Sequence, residues 1–182
     1  MVRKFTDEPV APEILDRILA NAVRGPSAGF SQGQAFLVLT GEDLERFWAV
    51  AGEAADPSVA AAPVVIVPMS SKRVYLDRYA RPDKGWTDRD EVHWPVPYWD
   101  IDTGFTALLM LLAAVDEGLG ALFFGIVPEL FGRFRAQYGV PEGYVPIGAV
   151  AVGHPDPAAD LGGSSSVISR RRLDDLVHRG RW

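Results

Sequence analysis

The chain has 182 residues, 48% of them hydrophobic, which supplies apolar material for a sizeable core and excludes a disordered chain. Its formal charge of −6 disfavours nucleic acid and anionic membranes as partners, while leaving room for a local anion site. It has no cysteine, which excludes disulfides, thiolate nucleophiles and Cys-held metals, and a cytoplasmic protein is the default expectation.

Residues 1–6 carry no apolar run, so no signal peptide is expected. The first helix opens at Pro12 and Glu13, residues suited to a first helical turn. Ile14, Leu15, Ile18, Leu19 and Ala22 recur at helical spacing, and Gly25-Pro26 stops the pattern. A small polar loop fills 27–34. Residues 35–39 (AFLVL) read as a buried strand. Thr40 is suited to cap a second helix, with Asp43 at the capping-box position; that helix carries Leu44, Phe47 and Trp48 and should end before Asp56-Pro57. A second buried strand is expected at 64–69 and a short helix at 71–79.

Residues 80–99 hold three prolines, three tryptophans and His93, a long stretch for a structureless connection. It reads either as a lid over a binding site or as a loop packed on its own domain. Asp102 or Thr103 is then expected to cap a helix whose run 105–115 (FTALLMLLAAV) lacks a polar face. Such a helix is buried nearly all round, inside one domain or against a second subunit. The strongly apolar part, 107–115, is too short to span a bilayer. Gly118-Leu119-Gly120 ends it. An apolar segment at 121–127, a helix from Pro128 to about Tyr138, a turn at Pro141-Glu142-Gly143 and a buried strand at 147–152 follow. The tail, 156–182, starts polar and turns basic at Arg170, Arg171 and Arg172. One domain of helices and three or four strands results, with two-layer and three-layer α/β arrangements both open.

Little in this pattern is overt chemistry. His93, His154 and His178 lack metal-site spacing, and no GxSxG, GxGxxG or P-loop appears. Asp100 and Asp102 are two apart, so their side chains do not face one another on a helix. Arg3 and Lys4 at one end and Arg170 and Arg172 at the other suit phosphate binding, although each group alone reads as solvated charge.

Taken in order, these segments resemble the nitroreductase-like flavoprotein family. Arg3-Lys4-Phe5 with Pro9-Val10 matches the opening R-x-F and P-V. The run from Gly25 through Pro26, Ser27, Ala28, Gly29, Phe30, Ser31 and Gln32 to Gly33 stands where the family has A-P-S-x-x-N-x-Q-P. A long apolar helix ending in Gly118-Leu119-Gly120, a segment around Gly125, the Pro141–Tyr144 turn, Gly153-His154-Pro155 and a closing Arg170, Arg172, Leu173, Asp174 complete the likeness. No single motif is strong; the order and spacing over nearly the whole chain carry the resemblance.

The resemblance implies an α/β (α+β) nitroreductase-like fold, with a central, mostly antiparallel sheet flanked by helices and a long buried helix at a dimer interface. It implies an FMN-binding homodimer that takes electrons from NAD(P)H and gives them to a nitroaromatic, quinone-like or other planar acceptor. The alternative is a flavin- or deazaflavin-binding protein of the same fold with little turnover. By analogy Arg3 would contact the flavin phosphate or ribityl region, Lys4 would stand beside it in the cofactor site, and Arg170 and Arg172 would help hold the phosphate. Ser27, Gly29 and Gln32 would lie beside the ribityl chain or ring, and Phe124 and Gly125 would approach the isoalloxazine. Phe30, His93, Trp94 and Trp99 would face the substrate. No catalytic acid–base residue is implied, because the flavin carries the electrons.

Three departures bear on this reading. The sequence opens inside a motif that in the family begins with two further arginines. Phe30 replaces a ring-facing Asn, exchanging an amide's donors and acceptor for a ring that packs or stacks. Gly33 replaces the Pro after Gln.

Overall fold

The computed structural model describes residues 1–51, 57–159 and 167–182. The expected end of the second helix ahead of Asp56, and part of the tail at 160–166, lie outside them.

Five strands form one sheet: β1 (Gln34–Leu39), β2 (Val64–Ser70), β3 (Gly120–Phe124), β4 (Val145–Pro146) and β5 (Ala149–Gly153). The order is β1-β2-β5-β3, with β4 also on β2, and every pairing is antiparallel. Among the described residues, five α-helices flank it: α1 (Pro12–Ala22), α2 (Gly41–Ala51), α3 (Lys72–Tyr79), α4 (Tyr98–Asp116) and α5 (Phe131–Tyr138). The fold is the expected α+β arrangement with a central antiparallel sheet flanked by helices.

Helices pack on both faces, which settles the layer question in favour of three. Alternation along β2 divides the core. Val65 and Val67 join Leu39, Phe47, Leu122 and Phe134 on the α2/α5 side. Val64 and Ile66 join Ile18, Met110, Ala114, Val150 and Val152 on the α1/α4 side. With both faces covered, β2 and β5 are buried along their length and read as continuous apolar runs rather than alternating ones. Pro68 has no N–H to donate; it falls between the β5 and β4 pairings, and its carbonyl accepts from Ile147 N (3.1 Å).

Three expectations change. β1 is an edge strand and mostly half-buried rather than buried, because strand order is a long-range property that its own apolar run does not encode. Asp43 gives its carboxylate to Arg46 (2.5 Å). Neither Asp102 nor Thr103 caps α4: the helix starts at Tyr98, just after Pro97, and both residues lie buried inside it.

α4 is long and apolar enough to cross a bilayer by length and composition alone. Here it crosses the sheet and packs against α1, with Arg17 forked onto Glu117 (2.7 and 2.6 Å) at its far end. Only one side is buried within the chain. Ile101, Phe105, Leu108, Leu112 and Val115 remain exposed, spaced four, three, four and three residues apart as one stripe.

Candidate functional site

The loop between α1 and β1 is built around one carboxylate. Asp102 is 4% exposed, and its Oδ2 accepts from Ala28 N and from the Tyr75 hydroxyl, both at 2.7 Å. Burial, then the bond to Asp102, pushes the Tyr75 phenol well above its ordinary value, so it stays a neutral donor. Ser31 Oγ donates to Ala28 O (2.6 Å), and Gln32 N donates to Ser27 Oγ (3.1 Å). Arg78 Nε donates to Gly29 O (2.9 Å), while its other two nitrogens fork onto Asp83 (2.8 and 2.7 Å). A Cβ on Gly29 would stand 2.6 Å from the Tyr79 ring, and one on Gly33 2.6 Å from the Tyr75 ring. At Gly33, then, the Tyr75 ring occupies the space a Cβ would need.

This clamp holds an uncommon backbone. Gly29, Phe30 and Gln32 have φ of 60°, 54° and 53°. Glycine adopts that region freely, but for an aromatic residue it is an outlier. Phe30 is also 75% exposed.

The other residues named from the sequence stand elsewhere. Arg3 and Lys4 are exposed at the opposite end of the sheet. There Val2 N donates to Ala121 O (3.0 Å), Phe5 bridges Pro155 and Asp156 N donates to Lys4 O (3.1 Å). Ser58 Oγ donates to Arg3 O (2.9 Å), leaving the guanidinium outside that bond. Val64 marks this end of β2 and Ser70, paired with Gln34, marks the other. Six residue steps of about 3.3 Å separate the two ends by about 20 Å.

Phe124 stacks on Trp48 of α2 (5.7 Å, 16°), so its ring belongs to the core. Next to it Gly125 is exposed, with no atom within 4 Å of a Cβ position, and its backbone is open to approach. Arg170 and Arg172 lie on the exposed tail, Arg172 at 3.5 Å from Asp174.

His93, Trp94 and Trp99 belong to one aromatic cluster. Trp94 is surrounded by Tyr75, Tyr79, Trp86, Tyr98 and Trp99, with ring centroids 4.6–6.0 Å away. His93 packs on Trp86 (4.7 Å), with Nε2 3.0 Å from Asp88, and the hydrogen bond from His93 lowers the Asp88 carboxyl below its ordinary value. Trp99 lines a cleft of about 310 Å³ with Ser70, Lys72, Arg73 and Asp100. Ion pairs Lys72–Glu91 (2.5 Å) and Arg89–Asp77 (2.8 Å) tie the 80–97 segment to α3.

The sequence reading missed Asp102, Tyr75 and Arg78 as loop-holding residues. Asp102 carried a usable signal: it lies in register with Thr106 and Met110 on the face of α4 that is buried. A carboxylate on such a stripe needs a buried donor, not a capping position.

Residues 1–154 match the model of the nitroreductase family. A protein of Methanothermobacter thermautotrophicus named "Putative NADH dehydrogenase/NAD(P)H nitroreductase" is 27% identical over 184 residues, spanning 100% of this chain and 82% of that protein. The solved structure of NfrA2 from B. megaterium superposes with a TM-score of 0.76 at 21% identity, covering 100% of this chain and 70% of that one. An FMN-dependent nitroreductase from Clostridium difficile R20291 gives 0.70 at 21% identity, covering 100% and 94%. With the family model covering residues 1–154 and the fold matching those solved structures, the chain belongs to the nitroreductase family.

Proposed function

We propose that the protein works as a homodimer that takes electrons from NAD(P)H and gives them to a nitroaromatic, quinone-like or other planar acceptor in the cytoplasm. In this reading residues 1–182 form one flavin-binding domain, with 80–99 as substrate cover and 156–182 as a basic arm.

The separation of the two residue groups carries the proposal. Arg3 and Lys4 stand about 20 Å along the sheet from the Ser27–Gln32 loop, too far to close one pocket within one chain. α4 runs between the two ends: Asp102, near its start, holds Ala28, and its end leads into Gly120 and Ala121 beside Val2. A twofold axis perpendicular to the exposed stripe would set two copies of α4 antiparallel. The Arg3 end of one protomer then meets the Ser27 end of its partner.

The residues fit FMN. Arg3, Lys4, Arg170 and Arg172 are exposed cations suited to hold and orient a phosphate. Ser27 Oγ accepts from Gln32 N, so its own proton is free for a ligand. The open backbone of Gly125 lets a flat ring approach closely, while Phe124 is fixed behind it by Trp48. Bound flavin supplies hydride acceptance and donation. The aromatic cluster of His93, Trp94 and Trp99, with Phe30, excludes water and offers ring faces to a planar acceptor.

Titration with FMN, followed by absorbance, tests this reading together with sedimentation and NADH or NADPH oxidation in the presence of a quinone. The expected result is a dimer with one FMN per chain and acceptor-dependent turnover. Leu108→Asp with Leu112→Asp should give a folded monomer that binds FMN about 100-fold more weakly, because half of each site is gone. No FMN uptake by the wild type, or undiminished uptake by that monomer, would overturn it.

A further inference from the structure

We propose that Arg78 is a positioning residue that aims Phe30, and that the Phe30 ring is presented to a planar π-system at the subunit interface. The inference rests on the flavin-binding dimer proposed above and adds two roles to it.

Phe30 combines two costs that folding alone does not explain. Its backbone is left-handed, which for a non-glycine aromatic residue is a strained state that persists only where the surroundings impose it. Its side chain is 75% exposed, so no burial within the chain offsets that strain. Strain held by a dedicated clamp, with an apolar ring pointed at solvent, is the pattern of a contact surface for something outside the chain.

Arg78 is the side chain of the clamp that bonds nearest to Phe30. Its Nε fixes the carbonyl of Gly29, which is the peptide leading into Phe30. Together with the bond from Phe30 N to Ser27 O (2.9 Å), it holds the Gly29–Phe30 peptide plane, and hence the direction of the Phe30 side chain. The Arg78 side chain is 20% exposed and is itself held by the fork onto Asp83. Asp83 opens the aromatic segment that contains Trp86 and Trp94. One guanidinium therefore joins the cover segment to the loop. Lysine cannot replace it, since a single ammonium lacks the planar fork that makes both contacts at fixed geometry.

The π-system that Phe30 meets is the flavin ring or the acceptor ring; the shared chemistry is a flat, apolar face. The experiment separates them. Phe30→Asn, Phe30→Gly, Arg78→Lys and Arg78→Met are compared with wild type by FMN titration, acceptor KM and kcat, and thermal melting. Phe30→Gly should melt about 2–4 °C higher, because the strained φ is relieved. If the ring meets flavin, Phe30→Asn weakens FMN binding by about 3- to 10-fold; if it meets the acceptor, FMN binding is unchanged and acceptor KM rises by a similar factor at constant kcat. Arg78→Met should shift the same readout in the same direction, and Arg78→Lys should recover little of it. In a Phe30→Asn background, Arg78→Met should add nothing to that readout.

Unchanged FMN binding and acceptor KM in both Phe30 variants would overturn the inference. So would an Arg78→Met effect that persists undiminished without Phe30, because a general structural role is additive. Failure of the wild type to bind FMN would instead overturn the flavin reading, and this inference with it.

Discussion

The two halves of the proposed site are built in opposite ways. At the Ser27–Gln32 end, a buried carboxylate, a neutral phenol, an arginine fork and two tight ring contacts hold a strained turn. At the Arg3 end, the cations are exposed, and the segment is fixed by hydrogen bonds at the main chain of Val2, Arg3, Lys4 and Thr6 and by the burial of Phe5. The first half is organised before any ligand arrives. The second offers charge but little fixed geometry, so in the proposed function a bound phosphate would supply the order. Preorganised polar groups are costly to disturb in the free protein, whereas unpaired surface cations are costly to lose only when an anion is bound.

Removing the central carboxylate should have the largest effect. Asp102→Ala leaves the Tyr75 hydroxyl and Ala28 N without their acceptor in a buried setting. The expected loss is about 3 kcal/mol of unfolding free energy, measured by urea titration, with a parallel loss of FMN affinity. A loss below about 1 kcal/mol would show that the loop is not organised through this residue.

A pair of glycines sharpens the contrast. Gly33→Ala puts a methyl group 2.6 Å from the Tyr75 ring and should cost about 1–3 kcal/mol of stability. Gly125→Ala meets open space and should leave the melting temperature unchanged; in the proposed site the added methyl would stand where the ring approaches, so FMN binding should weaken. Equal effects of the two substitutions on stability would remove the distinction between a packed half-site and an open one.

Much of the fold was legible because its elements announce themselves locally. Pro12 and a 3.6-residue apolar pattern gave α1, and continuous apolar runs gave β2 and most of β5. The errors occurred where the deciding information is distant. Strand order makes β1 an edge, and nothing in AFLVL carries that. The start of α4 at Tyr98 was obscured by Pro95 and Pro97, and a carboxylate heading an apolar run resembles a cap until its buried partners 74 and 27 residues away are known. Within the site, the Gly-Pro-Ser run marked the loop. Its strain was invisible, because a left-handed Phe30 contradicts local propensity and is imposed by Asp102 and Arg78 from other elements.

Arg3→Ala and Arg170→Ala test the open half. Both side chains are exposed, so neither change should move the melting curve of the FMN-free protein. Each should weaken FMN binding about tenfold, and added salt should narrow the difference from wild type. Altered stability without FMN would mean that these cations have structural partners in the folded protein.

The smallest effect expected is acidic, and it should be confined to the clamped half. The hydrogen bond from Arg78 holds the Asp83 carboxyl below its ordinary value. A depressed folded pKa contributes stability that is present above the unfolded value, near 4, and is lost as pH falls through the folded one. Wild type should therefore melt slightly above Asp83→Asn at pH 6, and the two should converge as the pH approaches 2. The pair is exposed on the Asp83 side, so the shift at pH 6 is small. Its disappearance in acid is the informative part. A difference that survives at pH 2 would assign the contribution of Asp83 to shape rather than charge, and Arg78 would then owe its position to packing against Tyr79 and Gly29 instead of to the fork.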